Sequence, residues 1–193
     1  MQDKLYIIIS YITSFILRGM KMIGLSNKKV ELVKYSDEWI EMYQIEAENL
    51  DNLLKGYVVS IQHIGSTSIP NMLVAKPIID IAIGVASFEL MTKVRGILTE
   101  NGYFYNENAG DVDRFFLAKG KEEKRTYNIH VELYGGRSWH NHIDFKNFLL
   151  KHLDYVEKYC KVKRELETLY KNDRLKYTQG KADFIQSIIK NIR

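Results

Sequence analysis

The chain has 193 residues, a formal net charge of +4 and one cysteine, Cys160. This length suits one domain with a substantial core, and a single cysteine excludes an internal disulfide and a cysteine-based zinc site. From residue 151 to 193 there are eleven Lys and Arg against six Asp and Glu, so the positive charge lies mainly on the C-terminal segment. Such a segment is typical of a solvated helix face or of a surface that attracts polyphosphate or nucleic acid.

An apolar extension, residues 1–21, precedes the rest of the chain and contains the run "LYIIISYITSFIL". This run is too short to span a bilayer comfortably, and no clear small-residue cleavage site follows it. We interpret it as an over-extended start, with an interfacial anchor helix as the alternative. The folded domain is expected at 22–193. Without a signal peptide or a membrane span, and with a free thiol, the expected location is the cytoplasm.

After residue 21 the sequence predicts helices and strands that alternate irregularly along the chain. A helix is predicted from Ser36, its cap, to residue 54, with one apolar stripe at steps of three and four. That stripe comprises Ile40, Tyr43, Ala47, Leu50 and Leu54. Strands are predicted at 57–65, 77–85, 113–120 and 126–134, a helix at 88–102, and helical structure from 139 onward. This order predicts an α+β domain with a helical C-terminal layer.

The strand at 57–65 ends in Gly65, which three hydroxyl residues follow, Ser66, Thr67 and Ser68. Glycine lets a backbone approach a ligand, and amide and hydroxyl groups donate to phosphate oxygens, so this is a candidate phosphate cradle. Gly-Ser-Thr is also ordinary turn chemistry. His63, near the end of the same strand, could reach a ligand or Asp80.

Asp80 lies in the next strand, "PIIDIAI", on the same face as Ala82, whereas Ile79, Ile81 and Ile83 point into the core. A carboxylate among isoleucines is costly unless it is paired. Two alternatives follow: a salt bridge, for example to Lys76 or Arg114, or a metal ligand.

His130 and Glu132 alternate onto one face of the strand "NIHVELY". If this strand is adjacent to the one that carries Asp80, the three side chains converge in one pocket. The alternative for His130 is a structural histidine. His140, His142 and Asp144 in "WHNHID" do not predict a metal cluster of their own, because helical residues two apart point away from each other.

The segment "HIGSTSIPNMLVAKPIIDIAI" resembles the nucleotidyltransferase superfamily of DNA polymerase β type, in which a Gly-Ser pair precedes a strand with two metal-binding carboxylates. More closely, four segments resemble the GrpB family: "VELVKYSDEW", "HIGSTSIPNMLVAKPIIDI", "NIHVELYGGRSWHNHIDFKNFLLKH" and "YTQGKADFI". The resemblance covers the chain from about Met22 and implies a nucleotidyltransferase-like mixed β-sheet with flanking helices. It also supports His130 and Lys76 as site residues.

This chain departs from an active nucleotidyltransferase at Ala82, where the second carboxylate should stand. The resemblance implies transfer of a nucleotide from a nucleoside triphosphate to an acceptor hydroxyl with Mg²⁺. The alternative is a catalytically degenerate module that binds a nucleotide or another phosphorylated small molecule; a metal hydrolase is a third reading. No nucleic-acid-binding motif is present. The candidate residues are Asp80, Glu132 and His130 for catalysis, Asp80 and Glu132 for metal, and Gly65, Ser66, Thr67, Lys76, His63 and Arg114 for phosphate.

Overall fold

The computed structural model describes residues 23–26, 29–121 and 124–192. The apolar extension predicted at 1–21 lies outside these ranges. The described residues form a central mixed sheet with helices around it, which confirms the predicted α+β class.

Six strands form the central sheet. In spatial order they are β3 (Ser60–Ile64), β5 (Ile79–Val85), β8 (Lys124–Leu133), β7 (Arg114–Lys121) and β6 (Phe104–Tyr105), and β1 (Leu25–Ser26) pairs with β8. β5 and β8 run parallel, and the other pairs are antiparallel. A separate antiparallel pair consists of β2 (Val33–Lys34) and β4 (Val74–Ala75).

Six α-helices are assigned within the described residues. They are α1 (Glu38–Leu53), α2 (Phe88–Glu100), α3 (Arg137–Lys151), α4 (Leu153–Leu169), α5 (Arg174–Gly180) and α6 (Ala182–Ile192). The last four make the C-terminal helical layer that the sequence predicts. None of the helices in the described part of the chain has the length and apolar character that crossing a membrane requires.

The two faces of β5 have different surroundings, as the alternation of its residues predicts. Ile79, Ile81 and Ile83 are fully buried in the main apolar core. Ala82 packs on the opposite face in a small second cluster with Ile64 and Trp139. Asp80 shares that second face, so the site lies on the side of the sheet opposite the three core isoleucines.

The buried stripe of α1 differs from the predicted one. Trp39, Met42, Glu46 and Leu50 are buried, whereas Ile40, Tyr43 and Ala47 are half-buried. The helix is rotated because Glu46 is drawn inward: its carboxylate accepts hydrogen bonds from the Lys119 ammonium at 2.8 Å and from the Tyr103 hydroxyl. A buried carboxylate is tolerated when it is paired in this way, and an apolar periodicity does not reveal such a pair.

Candidate functional site

Gly65 forms a turn that brings the backbone against Asp80. Its φ of +70° is in the left-handed region, and a Cβ atom there would lie 2.5 Å from Asp80 Oδ2. The 3₁₀ turn Ser66–Ser68 follows, and the Ser68 hydroxyl donates to the Gly65 carbonyl at 2.7 Å. Only glycine satisfies both the backbone angle and the close approach. The predicted cradle and the predicted acid are therefore in direct contact.

Replacing Gly65 by alanine is expected to lower the free energy of unfolding by about 2 kcal/mol, because left-handed strain adds to the clash with Asp80. Gly56→Ala is a matched control, since Gly56 has a φ of +84° with nothing within 4 Å of the added carbon. The control carries only the backbone strain, about 1 kcal/mol. Urea unfolding of both variants measures the difference; equal losses would show that the contact with Asp80 is not constraining.

Ser66 is linked to the C-terminal helices through Lys163 of α4. The Lys163 ammonium lies 3.3 Å from Ser66 Oγ, and it also contacts Met72 Sδ at 3.1 Å and donates to the Val74 carbonyl. Lys163 is only 2% exposed, and burial lowers its pKa to about 7. A phosphate beside Ser66 would therefore meet a lysine that is partly deprotonated near neutral pH.

His63 and Thr67 lie behind this turn. His63 pairs with Ile81 across the strands, which places its side chain on the core side of the sheet. Asp80 projects from the other face. Its ring stacks on Tyr43, with centroids 4.5 Å apart, and His63 Nε2 lies 3.0 Å from Thr67 Oγ1. Burial lowers the pKa of His63 to about 3. In this arrangement both residues support the turn, and their assignment as phosphate ligands stays a prediction.

Asp80 is held in the ionised form. The Asn128 amide donates to its Oδ1 at 2.6 Å, and His130 Nε2 lies 3.8 Å from the same oxygen. Burial alone would raise the pKa of Asp80, but the contacts with His130 and Asn128 and the charge of Lys76 outweigh it and lower the pKa below the usual range. The side chain keeps 28% of its surface exposed, so a ligand can reach it.

Four half-buried cations lie near enough to interact electrostatically with this carboxylate: Lys76, Arg125, Arg174 and Lys181, which we call the basic cluster. Lys76 and Lys181 both contact the ring of buried Tyr177, at 5.2 and 4.8 Å from its centroid. Burial and the other cations lower the pKa of Lys76 well below its ordinary value. With Asp80 as the counter-ion, the cluster retains three formal positive charges when all four cations are protonated.

The register of β5 and β8 separates Glu132 from Asp80. Asn128 is opposite Asp80, His130 is opposite Ala82, and Glu132 is opposite Gly84. Four residues along a strand correspond to about 13 Å. The predicted adjacency of the two strands is present, and His130 lies next to Asp80, but the geometry does not favour one metal shared by Asp80 and Glu132.

Arg114 also lies at the Glu132 end of β8. It is opposite Glu132 on β7, and its Nη1 lies 3.1 Å from His130 Nδ1. Because a guanidinium only donates, this nitrogen of His130 accepts, and the proton of the neutral ring is on Nε2, toward Asp80. Arg114 thus orients His130, and its assignment to phosphate stays a prediction.

Comparison with known proteins decides the family. The family model described as GrpB protein matches residues 29–191. The chain belongs to the GrpB family. Glutamate-rich protein GrpB of Alkalihalophilus pseudofirmus is 31% identical, over 87% of this chain and 98% of that protein. The protein YqkA of Bacillus subtilis is 33% identical over 86% of this chain, which spans about half, 48%, of YqkA.

A solved structure agrees with this membership. The crystal structure of conserved protein GrpB from Enterococcus faecalis is similar with a TM-score of 0.75 and 30% identity, covering 83% of this chain and 96% of that chain. The structure of Cid1 in complex with its short product ApU is more distant, with a TM-score of 0.49 and 11% identity over 70% of this chain and 42% of that chain. Family and fold therefore rest on the GrpB matches.

Mg²⁺ prefers several oxygen ligands, and this GrpB chain offers few around Asp80. Besides the Asp80 carboxylate, the Asn128 amide oxygen is buried without a hydrogen-bond partner among the described residues. Ala82 adds no ligand, and the basic cluster disfavours further positive charge. This set does not fit the pair of Mg²⁺ ions that the superfamily resemblance implies.

Sequence reasoning missed Arg125, Arg174, Lys163 and His142 as neighbours of the site. A usable signal existed for Lys163, which stands in the same helical stripe as Val156, Tyr159 and Cys160, where an apolar residue is expected. Arg174 and His142 carry no comparable signal, because their positions depend on how the C-terminal helices pack against the sheet.

Proposed function

We propose that this GrpB protein binds the polyphosphate of a nucleoside triphosphate, or a similar phosphorylated small molecule, between the Gly65–Ser66 turn and the basic cluster. The observation that carries the proposal is that four half-buried cations share one carboxylate, Asp80, as their nearby electrostatic partner. Buried cations are expensive unless an anion neutralises them, and Asp80 neutralises only one charge. A bound polyphosphate would neutralise the rest.

Arg174 gives the proposal a specific contact. Its Nη1 is buried without a hydrogen-bond partner in the part of the chain that the structure describes. Burial and the charge of Arg125 lower the pKa of Arg174 to about 10, which shows how unfavourable this environment is for a cation without an anion. Guanidinium groups bind phosphate oxygens with charge-assisted hydrogen bonds, so Arg174 is the expected anchor.

The test is calorimetric titration with ATP, GTP, CTP, UTP and inorganic tripolyphosphate, in EDTA and in Mg²⁺. Arg174→Gln and Lys181→Gln are each expected to weaken binding about tenfold, since each removes a charged contact worth about 1.5 kcal/mol. Lys176→Gln is the control, because Lys176 lies on the same helix as Arg174 but is 63% exposed and pairs with Asp173. Binding that is absent, or that ignores Arg174 and Lys181, would overturn the proposal.

Nucleotide transfer to an acceptor hydroxyl is the second candidate. It is favoured by the ionised Asp80 beside His130 on the same face of the sheet. It requires Mg²⁺, which the ligand set around Asp80 fits poorly, so the binding function is supported better. If ATP binds only with Mg²⁺ and the complex releases pyrophosphate when candidate acceptors are added, transfer replaces simple binding.

A further inference from the structure

Three metal-ligating side chains converge toward the C-terminal end of β8, and one of them, His130, also lies beside Asp80. His130 and Glu132 project from one face of the strand, and His142 reaches them from α3. One ligand atom from each lies within 4.8 Å of the other two. This group comes from two consecutive secondary-structure elements, β8 and α3, and it shares no residue with the basic cluster.

Glu132 is the unusual member of the group. Its side chain is fully buried, and neither carboxylate oxygen makes a hydrogen bond with the described residues. His142 Nδ1 lies 2.8 Å from Glu132 Oε1, but the angles are not those of a hydrogen bond, so this nitrogen is also unsatisfied. Buried carboxylates are normally paired with donors or with cations. A carboxylate oxygen and an imidazole nitrogen that face each other at 2.8 Å in a buried position are placed as the ligands of a cation would be.

Arg114 does not fill that role. It is opposite Glu132 across β7 and β8, but its guanidinium is directed to His130 Nδ1 at 3.1 Å. The Glu132 carboxylate therefore lacks a hydrogen bond even with a cationic side chain on the neighbouring strand.

The fold brings α3 unusually close to the sheet at this point. A Cβ atom on Gly84, the partner of Glu132 on β5, would lie 2.9 Å from the Trp139 ring, so glycine is what allows this contact. Trp139 and His142 are three residues apart on α3 and hence on one face of the helix. The contact of Gly84 with Trp139 thus directs His142 toward Glu132.

We propose that His130, Glu132 and His142 bind a divalent transition metal of the Zn²⁺ class. Two imidazoles and one carboxylate suit Zn²⁺, Fe²⁺, Co²⁺ or Ni²⁺, whereas Mg²⁺ prefers an all-oxygen set. With metal–ligand bonds of about 2.1 Å, neighbouring ligand atoms lie about 3.0–3.4 Å apart. The 2.8 Å approach of His142 Nδ1 to Glu132 Oε1 is close to that spacing, and a ligand atom of His130 lies within 4.8 Å of the other two residues, so His130 must move closer when metal binds.

Metal binding would disturb the hydrogen bond between Arg114 and His130. Because Arg114 donates to Nδ1 of His130, the neutral ring carries its proton on Nε2, and His130 has no free lone pair. The metal must therefore compete with Arg114 for this ring. Replacing Arg114 by methionine, which removes both the donor and a nearby positive charge, is expected to tighten metal binding.

The experiment titrates the full-length chain, stripped with a chelator, with Zn²⁺ against a chromogenic competitor and with Co²⁺ monitored by its visible absorption. One Zn²⁺ per chain is expected. Glu132→Gln and His142→Ala should each weaken binding by at least about 100-fold, since even residues outside the ligand set cost 10–100-fold. His140→Ala is the matched control, because His140 is exposed on the same helix two residues away.

Thermal unfolding with and without Zn²⁺ separates loss of metal binding from loss of stability, because it compares the Tm of each variant with its own metal-free value. Zn²⁺ should raise the Tm of the parent protein and of His140→Ala, but not of Glu132→Gln or His142→Ala. Parent-like Zn²⁺ affinity in either ligand variant, absence of tight Zn²⁺ binding to the parent, or weaker binding in Arg114→Met would overturn the site. No nucleotide is present, so the result is independent of the polyphosphate proposal.

Discussion

Asp80→Asn is expected to lower the free energy of unfolding of the ligand-free protein by about 3 kcal/mol, because it removes the counter-ion of four half-buried cations. In the described residues Asp80 is the carboxylate that interacts with every member of the basic cluster. For a chain of this size the Tm should fall by about 10 °C. Asp154→Asn is the control: Asp154 is 61% exposed in a surface pair with Lys158, and its loss should leave the free energy of unfolding nearly unchanged.

The same substitution should strengthen the binding of ATP in EDTA, by about tenfold. Asp80 competes with a phosphate group for the same cations, so its removal leaves them free for the ligand, and the energy lost in the free protein is recovered on binding. Calorimetric titration of Asp80→Asn and of Asp154→Asn measures the effect. If Asp80 instead holds catalytic Mg²⁺, the variant should lose Mg²⁺-dependent nucleotide binding, which is the opposite result.

Much of the site follows from local sequence. The alternation in "PIIDIAI" places Asp80 and the core isoleucines on opposite faces, because strand periodicity is strict. Gly65 before three hydroxyl residues predicts a tight turn, and its contact with Asp80 shows why the two occur together. The strands that carry Asp80 and His130 are adjacent, which was the condition for bringing these two side chains together.

The register and the C-terminal contacts could not be predicted in this way. Alternation determines which face a side chain occupies but not its level along the neighbouring strand. Asn128 and Glu132 are four residues apart, about 13 Å along the strand, and the register places Asn128 rather than Glu132 beside Asp80. Three further neighbours of the site lie on helices whose positions depend on tertiary packing: Lys163, Arg174 and His142. In the sequence, these charged residues cannot be distinguished from the charged residues of a solvated helix face.

The affinity for ATP is expected to fall by about 10–100-fold between pH 7 and pH 9. In the free protein, burial lowers the pKa of Lys163 to about 7 and that of Lys181 to about 8. A bound polyphosphate stabilises both ammonium groups and raises their pKa values, so each lysine takes up a proton on binding within this range. Affinity is therefore highest below about pH 7 and declines as the free lysines lose their protons. ATP itself is nearly fully ionised above pH 7, since its last phosphate pKa is about 6.

The stability of the free protein should change in the opposite direction. Unfolding returns both lysines to their ordinary pKa, so above pH 7 the unfolded chain binds more protons and the free energy of unfolding rises with pH.

Calorimetric titration with ATP at pH 7.5 and 8.5, in pairs of buffers with different ionisation heats, counts the protons that the protein takes up on binding. Lys163→Met should reduce that count, whereas Lys161→Met, at an exposed position on the same helix, should not. Constant affinity from pH 7 to 9, or proton release on binding, would show that the phosphate does not contact these lysines.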